Sequence, residues 1–557
     1  MRSHRPAAVV VVAALAGGLG CGSGSGGPKP AENERPGRGG ELTVLAPAVP
    51  QSLDPHRVPD VTAAMAHGVA FRQLYLHVPE RTGAVPDLAA GRAEISEDRQ
   101  TITVPIRRTG RFGPEGGRRI TARDLEHGLE RALADREAGP AARRLLGAIE
   151  GLGPVGVWRD IPGISAADED RLVLQLRVPT PEPVLEGLAT SASTPVPAET
   201  PRVLGSFPVG SSVFSGPYAP ALDVPAPLAR TSMRLDRNPV WRRESDPRPA
   251  YPDRITFQQE ARVPAAWRTL SGTGFVLAPA APPEVARIAR RRDDAGLLAV
   301  APLPVTRYIG LNSRAPELRD VHVRRALVAA LDREALLRAA GGTGALASHY
   351  LPPSVPGHDE SGGVDGTGAA ELREPAGDPR LAASELRRAG SADGRYDGPA
   401  LLAVRGGSKT DAAMARVARA SWRPLGVRLR VEVLEGAALR TACTARTSPY
   451  AVCLSASAGA VAADPAVLLR PLARGRAGGR VDAAMAASAE LPPGELRSRA
   501  WSGINRAAVE MAIGAPWRWD ERPLLVSRDV LGVVDERLGA WDLAFTSLDA
   551  RARRAAG

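Results

Sequence analysis

The chain has 557 residues, enough for two to four domain-sized units, and its 44% hydrophobic and 24% charged residues are the balance of a soluble globular protein. It carries a formal net charge of +11, and all but two of its 72 basic residues are arginine, Lys29 and Lys409 being the exceptions. The arginines are scattered among acids and form no basic block interleaved with aromatics, which argues against a nucleic-acid partner. Coding bias and attraction to an anionic ligand remain as readings of the charge. Aromatics are only 4% of the chain, too few to suggest a ring-lined pocket for a hydrophobic ligand.

Arg2 and Arg5 precede an apolar run over residues 7–20. That run is shorter than the roughly 20 residues a membrane-spanning helix needs, and residues 1–20 read as a secretory signal. Cys21 follows Gly18-Leu19-Gly20, similar to a bacterial lipobox whose usual leucine, three places before the cysteine, is missing. Lipid attachment at Cys21 is expected, with an ordinary signal and an incidental cysteine as the alternative. Residues 21–39 are rich in Gly, Ser and Pro and read as a flexible tether. The remaining pair, Cys443 and Cys453, is consistent with a local disulfide in an exported chain or with two free thiols.

The folded part begins at Glu41-Leu42-Thr43-Val44-Leu45, an alternating strand pattern, followed by Ser52-Leu53-Asp54-Pro55 and a loop with His56, Arg57 and Asp60. Alternation at Ile102, Val104 and Ile106 gives a half-buried strand. Thr121 with Asp124 makes a capping-box pattern ahead of a helix with Leu125, Leu129 and Leu133 on one stripe. Residues 151–156, GLGPVG, fit a glycine fingerprint but follow a helical pattern and contain Pro154, so a plain loop is expected. Asp168-Glu169-Asp170 reads as a solvated turn. Later come Ser215-Gly216-Pro217-Tyr218, Arg237-Asn238-Pro239-Val240-Trp241 and the strand Asp253-Arg254-Ile255-Thr256-Phe257.

Residues 305–337 hold a strand, Tyr308 to Asn312, then a turn at Pro316, then Asp320 as the N-cap of a helix with Val323, Leu327, Ala330, Leu331 and Ala335 on one face. Tyr350-Leu351-Pro352-Pro353 and Pro356-Gly357-His358 form a loop, residues 360–376 an exposed Gly-rich segment, and Asp378-Pro379 starts a helix ending near Gly390. Trp422 to Leu434 reads as helix end, turn and strand, Glu495 to Met511 as a helix, and Leu524 to Ser527 as a returning strand.

These short motifs, in this order over residues 40–530, resemble the bacterial extracellular solute-binding proteins of family 5, the oligopeptide, dipeptide and nickel receptors of ABC importers. The resemblance implies an α/β, bilobal periplasmic-binding-protein-like fold. Lobe one would comprise residues 40–60, 186–304 and 520–548, with an inserted subdomain at 61–185, and lobe two residues 305–519. Tyr308 to Asn312 would run through the hinge. Ligand would be captured between the lobes as open and closed forms exchange. The implied ligand-binding positions are Arg57, Asp60, Ser455, Ser457, Ala458 and Val461. In the family's ligand loop an Asp often pairs with a peptide ammonium; Val461 stands there, so free peptides lose a partner.

No GxSxG elbow, Walker A loop, HExxH or CxxC occurs, the eight histidines are dispersed, and Ser408-Lys409 stands alone in a loop, so no enzyme is expected and no metal or cofactor is implied. The reading is a monomeric, lipid-anchored receptor on the extracytoplasmic face of the bacterial cell membrane, delivering a peptide-like solute to an ABC permease. The alternative is a degenerate relative acting as a sensor or interaction protein without transport.

Overall fold

The computed structural model describes residues 36–555 except 51, 80, 82, 114–116, 205–212, 222–230, 279–297, 342–343, 446, 460–464, 467, 470–478, 490, 492–493, 533 and 536. The chain divides into two units, Met1–Ala301 with Pro523–Gly557, and Pro302–Arg522.

The first unit is built on a five-stranded sheet that begins with β1 (Glu41–Ala46), an interior strand with a neighbour on each side. Leu42 and Val44 are fully buried on one face of β1, as their alternation predicts. Helix α1 (Val61–Ala70) follows, capped by Asp60, whose carboxylate accepts from the Ala63 amide at 2.9 Å. Met65, Ala66 and Val69 of α1 pack into the same core as Leu42 and Val44.

A second core in this unit runs from Leu74 to Ala192. Its four-stranded antiparallel sheet has β2 (Glu94–Ile95), β3 (Thr101–Pro105), β4 (Ile164–Asp168) and β5 (Arg171–Gln175) in the order β2-β3-β5-β4. Ile102 faces Leu174 and Val104 faces Leu172 across β3 and β5, all four fully buried. Helix α2 (Ala122–Ala134) covers this sheet through Leu125, Leu129 and Leu133, and the Thr121–Asp124 capping box is formed. The inserted core thus begins after α1 and extends past residue 185, in place of the expected 61–185, because the apolar face of α1 matches the main sheet.

The main sheet is completed by β6 (Tyr218–Pro220), β7 (Ser232–Arg237), β8 (Arg254–Gln259) and, after helix α3 (Arg262–Ser271), β9 (Phe275–Leu277), in the order β9-β1-β8-β7-β6. β1 is parallel to both neighbours.

Strand β10 (Leu298–Leu311) carries the chain into the second unit. The crossing lies at 301/302, upstream of the expected 305. Tyr308, Ile309 and Leu311 do not mark it; they are at most 3% exposed in the second unit's own core. The single helix expected after Asp320 is two: α4 (Val321–Ala329) and α5 (Arg333–Ala339). Asp332 breaks it, accepting from the Ala335 amide at 2.7 Å as a new N-cap. The break shifts the register, so that Leu336 is buried and Ala335 only partly so.

The second unit holds a six-stranded sheet. Along the chain its further elements are β11 (Ala345–Leu346), α6 (Pro379–Arg388), β12 (Leu401–Arg405), α7 (Lys409–Trp422), β13 (Leu429–Val433), α8 (Gly436–Thr444), β14 (Val452–Gly459), α9 (Gly479–Ala489), α10 (Glu495–Glu510) and β15 (Gly514–Leu525). The sheet order is β11-β15-β10-β14-β12-β13, with β12 parallel to β13 and β14, and β10 antiparallel to β14. Residues 360–376 contain three short 3-10 turns. Gly390, at φ +99°, ends α6 in the left-handed conformation, and its N–H and that of Ser391 reach the Arg387 and Leu386 carbonyls. β15 carries the chain back to the first unit.

Candidate functional site

Two loops carry the expected ligand-binding residues, one in each unit. In the first unit, Asp54 is buried and accepts from Arg131 at 2.6 and 2.8 Å, and the His56 amide donates to it at 3.0 Å. Burial raises the Asp54 carboxyl, and the Arg131 hydrogen bond and charge outweigh that and hold it below the usual carboxylate range. His56 bonds the Thr194 carbonyl at 3.1 Å and is pushed down to about 3, first by burial and then by the Arg131 charge. Arg57 donates to Asp135 at 2.9 and 3.1 Å, and Asp60 caps α1. The loop is therefore bound into its own unit, with Arg57 tied to Asp135 and Asp60 holding the start of α1.

In the second unit the carboxyl ends of parallel strands β12 and β14 lie together, the end of an open α/β sheet at which ligands bind. Beyond β12 the chain turns through Gly406-Gly407-Ser408 into α7. Ser408 caps that helix, its hydroxyl donating to Asp411 at 2.5 Å and accepting from the Asp411 amide at 3.0 Å. Ser455 of β14 accepts from the Gly406 amide at 3.0 Å and donates to the other Asp411 oxygen. Gly406 leaves little room for a side chain, since a Cβ there would lie 2.6 Å from Oδ2 of the Asp411 carboxylate that Ser408 and Ser455 hold in place.

Next to this turn, Ser457 of β14 is exposed and stands opposite Arg307 of β10. Arg307 donates to Asp520 of β15 at 2.8 and 2.9 Å, and Arg518 donates to the same carboxylate at 2.7 Å. Asp520 has 9% of its side chain exposed, while that of Arg307 is 41% exposed. Two guanidinium groups on one carboxylate leave a positive surplus, carried by the exposed Arg307. The arrangement can hold the carboxylate of a solute by a charge-assisted hydrogen bond beside a serine hydroxyl.

The structure thus brings together Ser455 and Ser457, and places Ala458 opposite Thr306 in β14. Val461 lies outside the described residues, as do Cys21 and the expected signal segment. Cys443 and Cys453 are joined by a disulfide with a Cα–Cα distance of 5.4 Å, tying the end of α8 to β14. Sequence reasoning passed over Arg307, Asp411 and Asp520. For Asp411 a signal was present: a strand, two glycines and a Ser with Asp three places on is a strand-to-helix turn. The Ser408-Lys409 pair is this cap. The glycine fingerprint at 151–156 follows helix Gly139–Leu146, so it has no strand before it. The acidic turn at 168–170 is ion-paired, with Asp168 on Arg171 at 2.7 Å, Glu169 on Arg119 at 3.5 Å and Asp170 on Arg108 at 2.7 Å. Among the described residues no group of three or more His, Cys, Asp or Glu side chains is placed to hold a metal ion, and no helix is long and apolar enough to cross a membrane.

Residues 83–479 match the family described as bacterial extracellular solute-binding proteins, family 5 Middle. No curated protein matches the sequence. Among solved structures, clavulanic acid biosynthesis oligopeptide binding protein 2 superposes with a TM-score of 0.73 at 23% identity, covering 92% of this chain and 96% of that one. The periplasmic murein tripeptide-binding protein MppA, in its unliganded open form, gives 0.72 at 18% identity, covering 92% and 98%. The ABC transporter-associated periplasmic binding protein DppA from Helicobacter pylori, in complex with peptide STSA, gives 0.60 at 17% identity, covering 92% and 98%. At these identities the likeness establishes the bilobal fold.

Proposed function

Because the chain belongs to the family 5 bacterial extracellular solute-binding proteins, we propose that it captures a peptide-like solute outside the cytoplasm and passes it to an ABC importer. The observation that carries this reading is the family match over more than two-thirds of the chain. Solved relatives named for an oligopeptide, a murein tripeptide and a bound peptide support the peptide class. The function is binding, with no catalytic step. A signal over residues 1–20, a lipid on Cys21 and a tether to residue 39 would keep a monomeric receptor at the membrane and raise its concentration near the permease.

Within the second unit, the ligand's carboxylate is assigned to Arg307, with Ser457 beside it and the Gly406–Ser408 turn as the neighbouring wall. Val461 stands where a carboxylate often pairs with a peptide's ammonium group, so recognition shifts from the ligand's amino end to its carboxyl end. Calorimetry with matched short peptides tests this. Amidating the C-terminus is expected to weaken binding at least tenfold, the scale of one charge-assisted hydrogen bond, while acetylating the N-terminus changes it little. The opposite ranking rejects the assignment.

The same Val461 favours a second reading, a receptor that senses a ligand without transporting it. Uptake of a bound peptide by cells carrying the chain and its permease, lost on deletion of the chain, excludes that reading.

A further inference from the structure

Beside α7 an open groove of about 330 Å³ is lined by Arg405, Ala412, Ala415, Arg416, Arg419 and Val431. It shares no residue with the Arg307 site. Its origin is legible in the helix: Ala412, Ala415, Arg416 and Arg419 are three and four places apart and so share one flank. The two alanines are too short to cover β13. β13 is the last strand of the sheet, and Val431 lies on its half-covered face, with Val433 two places on at 49% exposure.

The charge is one-sided. Arg416 and Arg419 are exposed. Arg405 donates to the Gly406 carbonyl at 2.6 Å, and Arg419 reaches the Leu429 carbonyl at 3.5 Å. None of the three arginines forms an ion pair with a described residue, whereas many arginines elsewhere in the chain do. The nearest acid in sequence, Asp411, is engaged by Ser408 and Ser455, and Glu432 accepts from the Tyr450 hydroxyl at 2.6 Å. Three guanidinium groups with no carboxylate partner thus rim an apolar floor on an open face.

We propose that this groove binds the phosphate of an anionic phospholipid headgroup, seating the second unit against the membrane. Guanidinium groups match phosphate oxygens in shape and charge. An open groove suits a headgroup presented on a surface better than a free solute, which needs most of its surface enclosed. The floor of Ala412, Ala415 and Val431 meets the apolar part of the lipid below the phosphate. The inference rests on the extracytoplasmic placement of the family and is independent of which solute the receptor carries.

The test is co-sedimentation of the full chain with vesicles of pure phosphatidylcholine and with vesicles containing phosphatidylglycerol, at low and at physiological salt. An N-terminal anchor, where present, contributes to both, so the readout is the ratio of the two partition coefficients. The wild-type chain is expected to prefer the anionic vesicles. Arg416→Glu/Arg419→Glu is expected to cut that preference by roughly 30-fold or more, from the interaction of two basic residues with an anionic surface. Arg380→Glu/Arg387→Glu, exposed on α6 and identical in net-charge change, should keep it within about twofold. Equal loss in both double variants would mean that net charge, not the groove, is responsible and would overturn the proposal. So would equal partition of the wild type into both vesicles. Loss of the preference with millimolar inorganic phosphate at constant ionic strength would make free phosphate the ligand and overturn the lipid assignment. Groove-dependent binding of a polyglutamate peptide without vesicle binding would overturn it in favour of an acidic protein segment.

Discussion

The loop after Asp54 and the turn after Arg405 occupy comparable places, each following a strand and leading toward a helix, yet they use polar residues in opposite ways. In the first, the charges are turned inward: Asp54 meets Arg131, Arg57 meets Asp135 and Asp60 caps α1. In the second, Ser408 and Asp411 satisfy the helix end and fix the turn, and Arg307 and Ser457 alongside remain exposed. Both arginines are ion-paired, Arg57 to Asp135 and Arg307 to Asp520, and the difference lies in exposure: 24% of the Arg57 side chain against 41% of that of Arg307, beside the exposed Ser457.

The largest effect that would break this contrast is on the first loop. Asp54→Ala removes the carboxylate that the buried Arg131 donates to and is expected to cost about 3–5 kcal/mol, read as a fall in unfolding free energy in urea. A loss below about 1 kcal/mol would show that the Asp54–Arg131 pair is not what holds this loop.

The pH response should separate the two units. In the second, His349 is pushed down to about 3, by burial first and the His358 charge next, so it is neutral when folded. A folded-state value below the unfolded one means stability that is present above about pH 6.5 and lost as pH falls toward 3. In the first unit His56 and His67, at about 3 and about 4, act in that same direction. Burial raises Glu130 and Asp542 there to about 7, and their contribution is present below their unfolded values and lost as pH rises through 7. Hydrogen exchange followed from pH 7 to pH 4 should therefore show a steeper loss of protection in the second unit, and His349→Gln should flatten it. An equal response in both units would contradict the opposed shifts.

The binding site offers the third test. Arg307→Ala is expected to weaken ligand binding by roughly 10- to 100-fold, read by calorimetry. The smallest effect sharpens the contrast from the other side: Asp60→Ala removes one N-cap and should cost about 1 kcal/mol of stability while leaving ligand affinity unchanged. A change in affinity there would return the first loop to the ligand site.

Local patterns made much of the scaffold readable in advance. The Ile102–Val104 alternation, the Thr121–Asp124 cap and the Leu125–Leu129–Leu133 stripe each express short-range physics, and the structure contains all three. Asp332 shows where such reading fails: the apolar spacing from Val323 to Ala335 continues through it, and only the cap geometry reveals two helices. The site was less legible because its members are far apart in the chain. Ser457, Arg307 and Asp520 meet only because β14, β10 and β15 are neighbours in the sheet, and nothing near Asp520 in sequence marks it as Arg307's partner. For Arg57 and Asp60 the converse holds: the bond to Asp135 and the capping of α1 are set by contacts a sequence word does not display.

The most direct test of the account is native mass spectrometry of the chain as purified, with Arg307→Ala and Asp60→Ala prepared in parallel. A peptide-like mass should be retained by the wild type and by Asp60→Ala and lost from Arg307→Ala. A retained ligand that is not peptide-like, or a peptide lost from Asp60→Ala and kept by Arg307→Ala, would contradict it.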